Sequence, residues 1–118
     1  MEAKSTSELF NIYDGIGRFS EGLTVAQKGN MRIFIYPDGT PAFEAVFSEA
    51  LPFSEGLAAV KTGEEWVYIG HNGKPAFEGR YAKANSFSCG TAQVKDGKWF
   101  TIIDHYGKRV ENFPPQPL

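Results

Sequence analysis

The sequence predicts an all-β fold made of three units of 34 residues, each a short antiparallel β-meander. Two observations lead to this prediction. The chain repeats itself at a fixed interval of 34 residues, with no gap between copies. In addition, glycine or proline interrupts it too often for helices, which need longer continuous stretches. The pattern leaves open whether the units form an open stack or close into a three-fold barrel.

The repeat is clearest in the pentapeptide FSEGL, which occurs twice and returns a third time as FSCGT. Agreement in many columns over three copies predicts a repeat architecture, in which each unit buries its apolar face against its neighbours. We assign a single domain, 1–118, with a partial unit at 9–18 and repeats at 19–52, 53–86 and 87–113. Residues 1–8 and 114–118 have too little apolar content to dock, so we expect them to fray.

Within a unit, Gly-centred turns separate short strand-like runs. In the second copy these runs are LAAVK, WVYI and KPAF, and Asn72-Gly73 between the last two is a strong hairpin signal. The middle run is apolar at successive positions in every copy (IFI, WVYI and FTII), whereas a strand with one wet face would alternate. We therefore expect the central strand to be covered on both faces.

Phenylalanine and glycine, which suit packing and turns, are kept in all three copies of the FSEGL motif. In the third copy, Cys89 replaces the glutamate and Thr91 replaces the leucine. This favours an architectural corner over a recurring active site. We expect the three phenylalanines to be buried and the three glycines to permit the bend into the next strand: Phe19, Phe53 and Phe87; Gly22, Gly56 and Gly90.

Composition and charge argue against several functions. The formal net charge is −2 and the basic residues are scattered, which argues against nucleic acid as a partner. No apolar run approaches the length needed to span a bilayer, so no membrane association is expected. Cys89 is the one cysteine, which excludes an internal disulfide and a thiolate zinc cluster. The first eight residues lack the apolar core of a signal peptide, so we expect a cytoplasmic location, with a removed signal sequence left open.

Few residues suggest chemistry, and no cofactor or metal is predicted because no phosphate loop, zinc motif or dinucleotide fingerprint occurs. His71 and His105 are 34 residues apart, but their column begins with Pro37 and lies beside a turn glycine, so we interpret them as turn residues. Glu21 and Glu55 fit turn chemistry as well. The alternative is a small enzyme acting on a saccharide or peptide, with acidic residues or Cys89 and His105 as its working groups.

The second copy, FSEGLAAVKTGEEWVYIGHNGKPAF, resembles the WG (or KWG) repeat of bacterial proteins. That repeat combines Phe-x-x-Gly-Leu-Ala with a Gly-Lys-Trp-Gly-Tyr-Ile-Asp stretch and a Gly-Lys turn. In the third copy Trp99 stands one place before the Trp column, which Phe100 occupies, and in the first copy Arg32 occupies that column. The resemblance covers residues 9–113. It implies a β-rich repeat of unknown or varied binding function, with no shared catalytic residues.

The sequence therefore predicts a non-catalytic interaction module. Its partner is expected to be another protein or a second copy of the chain, so an oligomer is expected. Large aromatic and arginine side chains are enriched at the energetic centres of protein interfaces. The predicted binding residues are Trp66, Trp99, Tyr106 and Arg32. If strand alternation holds, Trp99 and Phe100 point to opposite faces, so one of the two rings lies off the core.

Overall fold

A computed structural model describes residues 4–110 and 116–117. Ten strands and one short helix are present in these residues. They are α1 (Thr6–Phe10), β1 (Gly15–Ile16), β2 (Thr24–Lys28), β3 (Met31–Ile35), β4 (Glu49–Ala50), β5 (Ala58–Thr62), β6 (Glu65–Ile69), β7 (Lys83–Ala84), β8 (Ala92–Asp96), β9 (Trp99–Ile103) and β10 (Gln116–Pro117).

The strands form three separate antiparallel sheets, ordered β1-β2-β3, β4-β5-β6 and β10-β9-β8-β7. The sheets do not close into a barrel. They stack along an axis that gives the molecule its longest dimension, 47 Å against 25 and 20 Å. The predicted all-β fold of stacked meanders is thus confirmed, and of the two arrangements left open it is the open stack that forms.

Each sheet begins four residues before the repeat that the sequence suggested, because its first strand precedes the corner. The short strand β4 lies in the predicted repeat 19–52 but pairs with β5 of the second sheet. The run KPAF, predicted as a strand, contributes only a single bridge between Pro75 and Ile69. Proline has no backbone N–H to donate, which limits how far this run can continue the ladder.

Side chains on the two faces of each central strand pack against different neighbours, which explains the doubly apolar pattern. In β3, Phe34 faces the second unit and packs with Phe53, whereas Ile35 packs with Leu9 and Tyr13 of the N-terminal segment. In β6, Tyr68 packs with Phe87 of the third unit and Ile69 packs against the first unit. The residues covering the strand are those of the adjacent units, as layered sheets require.

The corner phenylalanine of a unit docks on the central strand of the unit before it. Phe53 is 1% exposed, with its ring centroid 4.9 Å from that of Phe34; Phe87 is likewise 1% exposed and 4.9 Å from Tyr68. The expectation that Phe19 is also buried is wrong, because its side chain is 37% exposed. Among the described residues, no central strand of a preceding sheet lies beneath Phe19.

The corner itself is a two-residue hairpin turn. Ser54 and Leu57 exchange both backbone hydrogen bonds, and the residues between them, Glu55 and Gly56, have φ angles of 55° and 81°. Positive φ at both central positions is typical of a type I′ turn. Gly22 and Gly90 have φ angles of 81° and 83° at the equivalent places. Glycine adopts this conformation without the strain that a side chain such as that of Glu55 incurs at positive φ.

Polar side chains of the corner join one unit to the next. The hydroxyl of Ser20 donates to the carbonyl oxygen of Phe53 at 2.7 Å, and the N–H of Gly56 donates to Oε1 of Glu21 at 3.1 Å. Nε2 of His71 lies 2.7 Å from the same carboxylate oxygen. The second junction repeats these contacts with Ser54, Glu55, Phe87, Gly90 and His105. The corner is therefore a joint between units.

The N-terminal segment takes the place of a preceding unit. Residues 6–10 form α1, which begins with a reciprocal capping box between Ser5 and Glu8, so the expected fraying of residues 1–8 is wrong for residues 4–8. Leu9 is 3% exposed and lies beside Gly39, just as Phe43 lies beside Gly73. Residues 1–3 lie outside the described part of the chain.

At the other end, β10 pairs with β9, so that Pro117 lies opposite Trp99 and Gln116 opposite Phe100. Residues 116–117 thus continue the third sheet, whereas the sequence led us to expect a frayed tail. The remainder of the predicted tail, 114–115 and 118, lies outside the described residues.

Candidate functional site

An open cleft of about 700 Å³ lies between the last residues of the second unit and the third sheet. Gly79, Arg80 and Tyr81 form one wall of this cleft. The other wall consists of Asp96, Trp99, Thr101, Ile103, Gly107 and Arg109. Its volume is in the range of ligand-binding clefts, roughly 300–1,000 Å³.

Trp99 presents an aromatic surface at the mouth of the cleft. Its side chain is 50% exposed, on the same face of β9 as Thr101 and Ile103. Phe100 is 36% exposed and lines a separate groove with Lys83 and Asn85 on the opposite face of the sheet. Trp99 and Phe100 thus point to opposite faces of the sheet, as predicted, and the indole of Trp99 remains partly exposed.

Hydroxyl groups lie deeper in the cleft. Thr101 replaces the aliphatic residues Ile33 and Val67 of the first two units. Its Oγ1 is buried and has no hydrogen-bond partner among the described residues. A buried polar group without a partner is costly, about 1–3 kcal/mol. Thr101 lines the cleft, so a ligand that reached this hydroxyl would remove that cost.

Tyr81 also belongs to the cleft, and its hydroxyl lies over Gly79, where a Cβ atom would collide with it. The first unit has Phe47 and Ala45 at these two positions, so the exchange of alanine for glycine makes room for the extra oxygen. Burial raises the pKa of Tyr81, and the charge of Asp96 adds to the effect. The phenol is therefore neutral at physiological pH and can donate a hydrogen bond.

Two arginines border the cleft. Arg80 makes an exposed ion pair with Glu65 at 3.6 Å, where the side chains are 67% and 52% exposed. An exposed pair of this kind contributes little stability, which leaves Arg80 free to change partners. Arg109 occupies the column of Pro41 and Pro75. The cleft thus combines an aromatic platform, two hydroxyls and two guanidinium groups with one carboxylate.

Of the four predicted binding residues, the cleft contains only Trp99. Trp66 is partly buried and packs against the core cluster of the second and third units. Arg32 is 25% exposed and pairs with Glu49 at 3.5 Å, beside a smaller cleft in the first unit. Tyr106 is 79% exposed in a turn. The structure therefore does not bring these four side chains together.

The sequence reasoning missed Arg80, Arg109, Tyr81 and Thr101. A signal for three of them exists in the repeat itself. Arg80, Arg109 and Thr101 are each a polar replacement in a column whose other members are apolar, whereas Tyr81 shares its column with Tyr13 and gives no such signal. Such a departure from the repeat indicates a position that one unit uses differently from its neighbours.

Cys89 and the histidines lie outside the cleft, including the Cys89 and His105 of the enzyme alternative. His71 and His105 remain in turns, but each also contacts the carboxylate of the preceding corner and stacks on a corner ring, with centroids 4.3 Å apart for Phe53 and His71. Because the same pair recurs at both junctions, its geometry is explained by unit stacking. Cys89 occupies, in the third unit, the position of Glu21 and Glu55, and it is exposed. Within residues 4–110 and 116–117, no group of three or more metal-ligating side chains is present.

The junction carboxylates are held in their ionised form. Burial opposes ionisation of Glu21, but the hydrogen bonds from His71 and Gly56 outweigh it and lower the pKa of the carboxyl. At the second junction, the bond with His105 is the largest influence, and with the N–H groups of Gly90 and Cys89 it lowers the pKa of Glu55. Ionised carboxylates that accept several hydrogen bonds suit a structural joint better than a proton donor.

The described residues contain one helix, α1, which has five residues. No helix in this part of the chain is long and apolar enough to cross a membrane.

Comparisons with curated proteins and with solved structures give no match. The chain matches the family described as WG containing repeat over residues 12–31, 34–66 and 68–99, which together are most of its length. The three matched segments and the three stacked sheets agree in number. The chain belongs to the WG-repeat family.

Proposed function

We propose that the protein is a non-catalytic, protein-binding module and that a partner segment docks in the cleft beside Trp99. The observation that carries the proposal is the half-exposed indole next to the Arg109 side chain and to Thr101 Oγ1, which has no hydrogen-bond partner among the described residues. Folding leaves about half of this large ring exposed. Tryptophan and arginine are the residue types that contribute most to binding energy at protein interfaces.

Charge favours a protein partner over nucleic acid. The chain has a formal net charge of −2, and the two arginines of the cleft lie close to Asp96 and Glu65. A phosphate backbone requires a continuous basic face to release its counterions. A polypeptide, by contrast, offers apolar side chains for the indole together with backbone groups for Thr101 and Tyr81.

The experiment is a selection of random, tryptophan-free 16-residue peptides displayed on phage against the folded protein. Affinities of the selected peptides are then measured for the wild type, Trp99→Ala and Tyr106→Ala. Removing a central tryptophan typically costs 2 kcal/mol or more, so we expect Trp99→Ala to weaken binding about 30-fold. Tyr106 is more exposed still but lies outside the cleft, so Tyr106→Ala is the matched control and should change affinity less than about twofold. Failure to select any binder, or equal affinity for all three proteins, would overturn the proposal.

A further inference from the structure

Exposed apolar side chains of the first two units fall in the same repeat columns as the cleft residues Arg80 and Trp99. Ile12 and Val46 share the column of Arg80, and Met31 shares that of Trp99. Their side chains are 41%, 50% and 46% exposed. Of the nine large hydrophobic side chains that are substantially exposed in the described residues, four lie in these two columns, which is far more than an even spread over 34 columns would give.

We call the residues of these two columns the lateral stripe: Ile12, Met31, Val46, Glu65, Arg80 and Trp99. The pairing of Arg32 with Phe47 sets Val46 opposite Ile33, and both line one groove on the face of β3 that also presents Met31. Arg80 joins Glu65, at 3.6 Å, to the cleft of Trp99. Repeat equivalence then places Val46 beside Met31 as Arg80 lies beside Glu65, and at the edge of the second sheet as Arg80 lies at the edge of the third.

The chemistry of the lateral stripe changes along the stack. Its first half consists of Ile12, Met31 and Val46, which offer only apolar contact. The second half consists of a weak ion pair and an indole, with Arg109 of the cleft nearby. Neither a phosphate backbone nor a saccharide would gain from the aliphatic half, whereas a polypeptide can place apolar side chains there and a carboxylate at the other end.

We propose that the lateral stripe binds a single extended segment of another protein, with apolar side chains on the first unit and an acidic side chain beside Arg80 and Arg109. This inference rests on the proposed function and adds the length, direction and chemistry of the partner segment. The stack is 47 Å long. An extended chain rises about 3.3 Å per residue, so about 14 residues span the whole stack, and the stripe, which covers part of it, accommodates at most a segment of that length.

The test uses the selected 16-residue peptides and two stripe variants, Met31→Ala and Val46→Ala, with Phe19→Ala as control. Phe19 is 37% exposed, in the same range as the stripe residues, but belongs to a corner. We expect each stripe variant to weaken binding about fivefold and Phe19→Ala to change it less than about twofold. Circular dichroism of each variant verifies that the fold is retained.

Peptide length and sequence provide the second measurement. Trimming a selected peptide to either eight-residue half should weaken binding at least about tenfold, because each half covers only part of the stripe. Selected sequences should be enriched in Asp or Glu near one end. If Trp99→Ala abolishes binding while Met31→Ala and Val46→Ala do not affect it, the stripe is refuted and the cleft alone remains. If no peptide binds, the proposed function fails and the stripe fails with it.

Discussion

Replacing the corner phenylalanine should affect stability very differently in different units. Phe53 and Phe19 occupy the same repeat column, but the first is 1% exposed and the second 37% exposed. The Phe53 ring packs between Phe34 of the preceding unit, at 4.9 Å, and His71, at 4.3 Å. Phe19→Ala is therefore an internal control for Phe53→Ala, since it makes the same chemical change at a corner that lacks a preceding sheet.

The expected magnitudes follow from burial. Truncating a fully buried phenylalanine to alanine typically costs about 3–5 kcal/mol, through lost transfer energy and the cavity that remains. Phe19 is more than a third exposed, and among the described residues no aromatic ring pairs with it, so about 1 kcal/mol is expected. The free energy of unfolding should thus fall about 3 kcal/mol further in Phe53→Ala than in Phe19→Ala.

Urea unfolding measures this difference. With an m-value of about 2 kcal/mol/M, the midpoint of Phe53→Ala should lie about 1.5 M below that of Phe19→Ala. Tryptophan fluorescence and far-ultraviolet circular dichroism should be followed together, since coincident transitions show that the stack unfolds as one unit. If Phe53→Ala does not fold, Phe53→Leu supplies a milder change, with an expected cost of about 1.5 kcal/mol. Equal costs at positions 19 and 53 would refute the docking of each corner on the preceding sheet.

Three further predictions concern the turns, the N-terminal cap and the junctions. Gly73 and Gly56 both have positive φ, but a Cβ at Gly73 would meet the ring of Phe43 and one at Gly56 would meet nothing, so Gly73→Ala should lower the free energy of unfolding about 1–3 kcal/mol more than Gly56→Ala in urea titrations. Tyr13→Phe removes the buried 2.7 Å hydrogen bond to the Gly39 carbonyl and should cost about 1 kcal/mol, with faster amide exchange in the first sheet; unchanged exchange would argue against the cap. The lowered pKa values of Glu21 and Glu55 mean that their contribution to stability is complete above the ordinary glutamate pKa of about 4.3 and is lost as the pH falls through the folded values. The double Gln variant should therefore lose stability at pH 7 and show a shallower decline below pH of about 4.3 than the wild type, and parallel pH profiles would contradict the junction role.

Much of the fold could be predicted because the same structural unit recurs along the sequence. The 34-residue interval predicted the number of units, and the doubly apolar central strands predicted that each is covered on both faces. The partial unit at 9–18 puts Leu9 in the column of Phe43, and Leu9 lies against a turn glycine in the same way as Phe43. Patterns of this kind are visible in one sequence because they recur within it.

The ends of the stack could not be predicted in the same way. Phe19 shares its column with two buried phenylalanines, but burial depends on a neighbour that the first unit lacks. Residues 4–8 looked too polar to dock, yet the capping box of Ser5 and Glu8 satisfies the start of a helix that brings Leu9 onto the first sheet. The burial of a residue in a terminal unit depends on its neighbours in space, which its position in the repeat does not specify.

Of the residues that line the candidate cleft, the sequence analysis singled out only Trp99. Trp66 is of the right residue type for an interface, but it lies against Tyr68 and its neighbours because another unit covers that face of the sheet. Arg80 and Thr101 are ordinary residues taken singly, and they become a site only when the second unit and the third sheet meet. Reading each column for its one polar departure would have pointed to both.

The fluorescence of Trp99 on peptide binding tests the account most directly. The chain has two tryptophans, and Trp66→Phe leaves Trp99 as the sole reporter, with a residue that the third unit itself carries in that column. Titrating a selected tryptophan-free 16-residue peptide should shift the emission of the half-exposed indole to shorter wavelength, with the same midpoint that peptide anisotropy gives. Binding seen by anisotropy with no change in Trp99 emission would contradict the account.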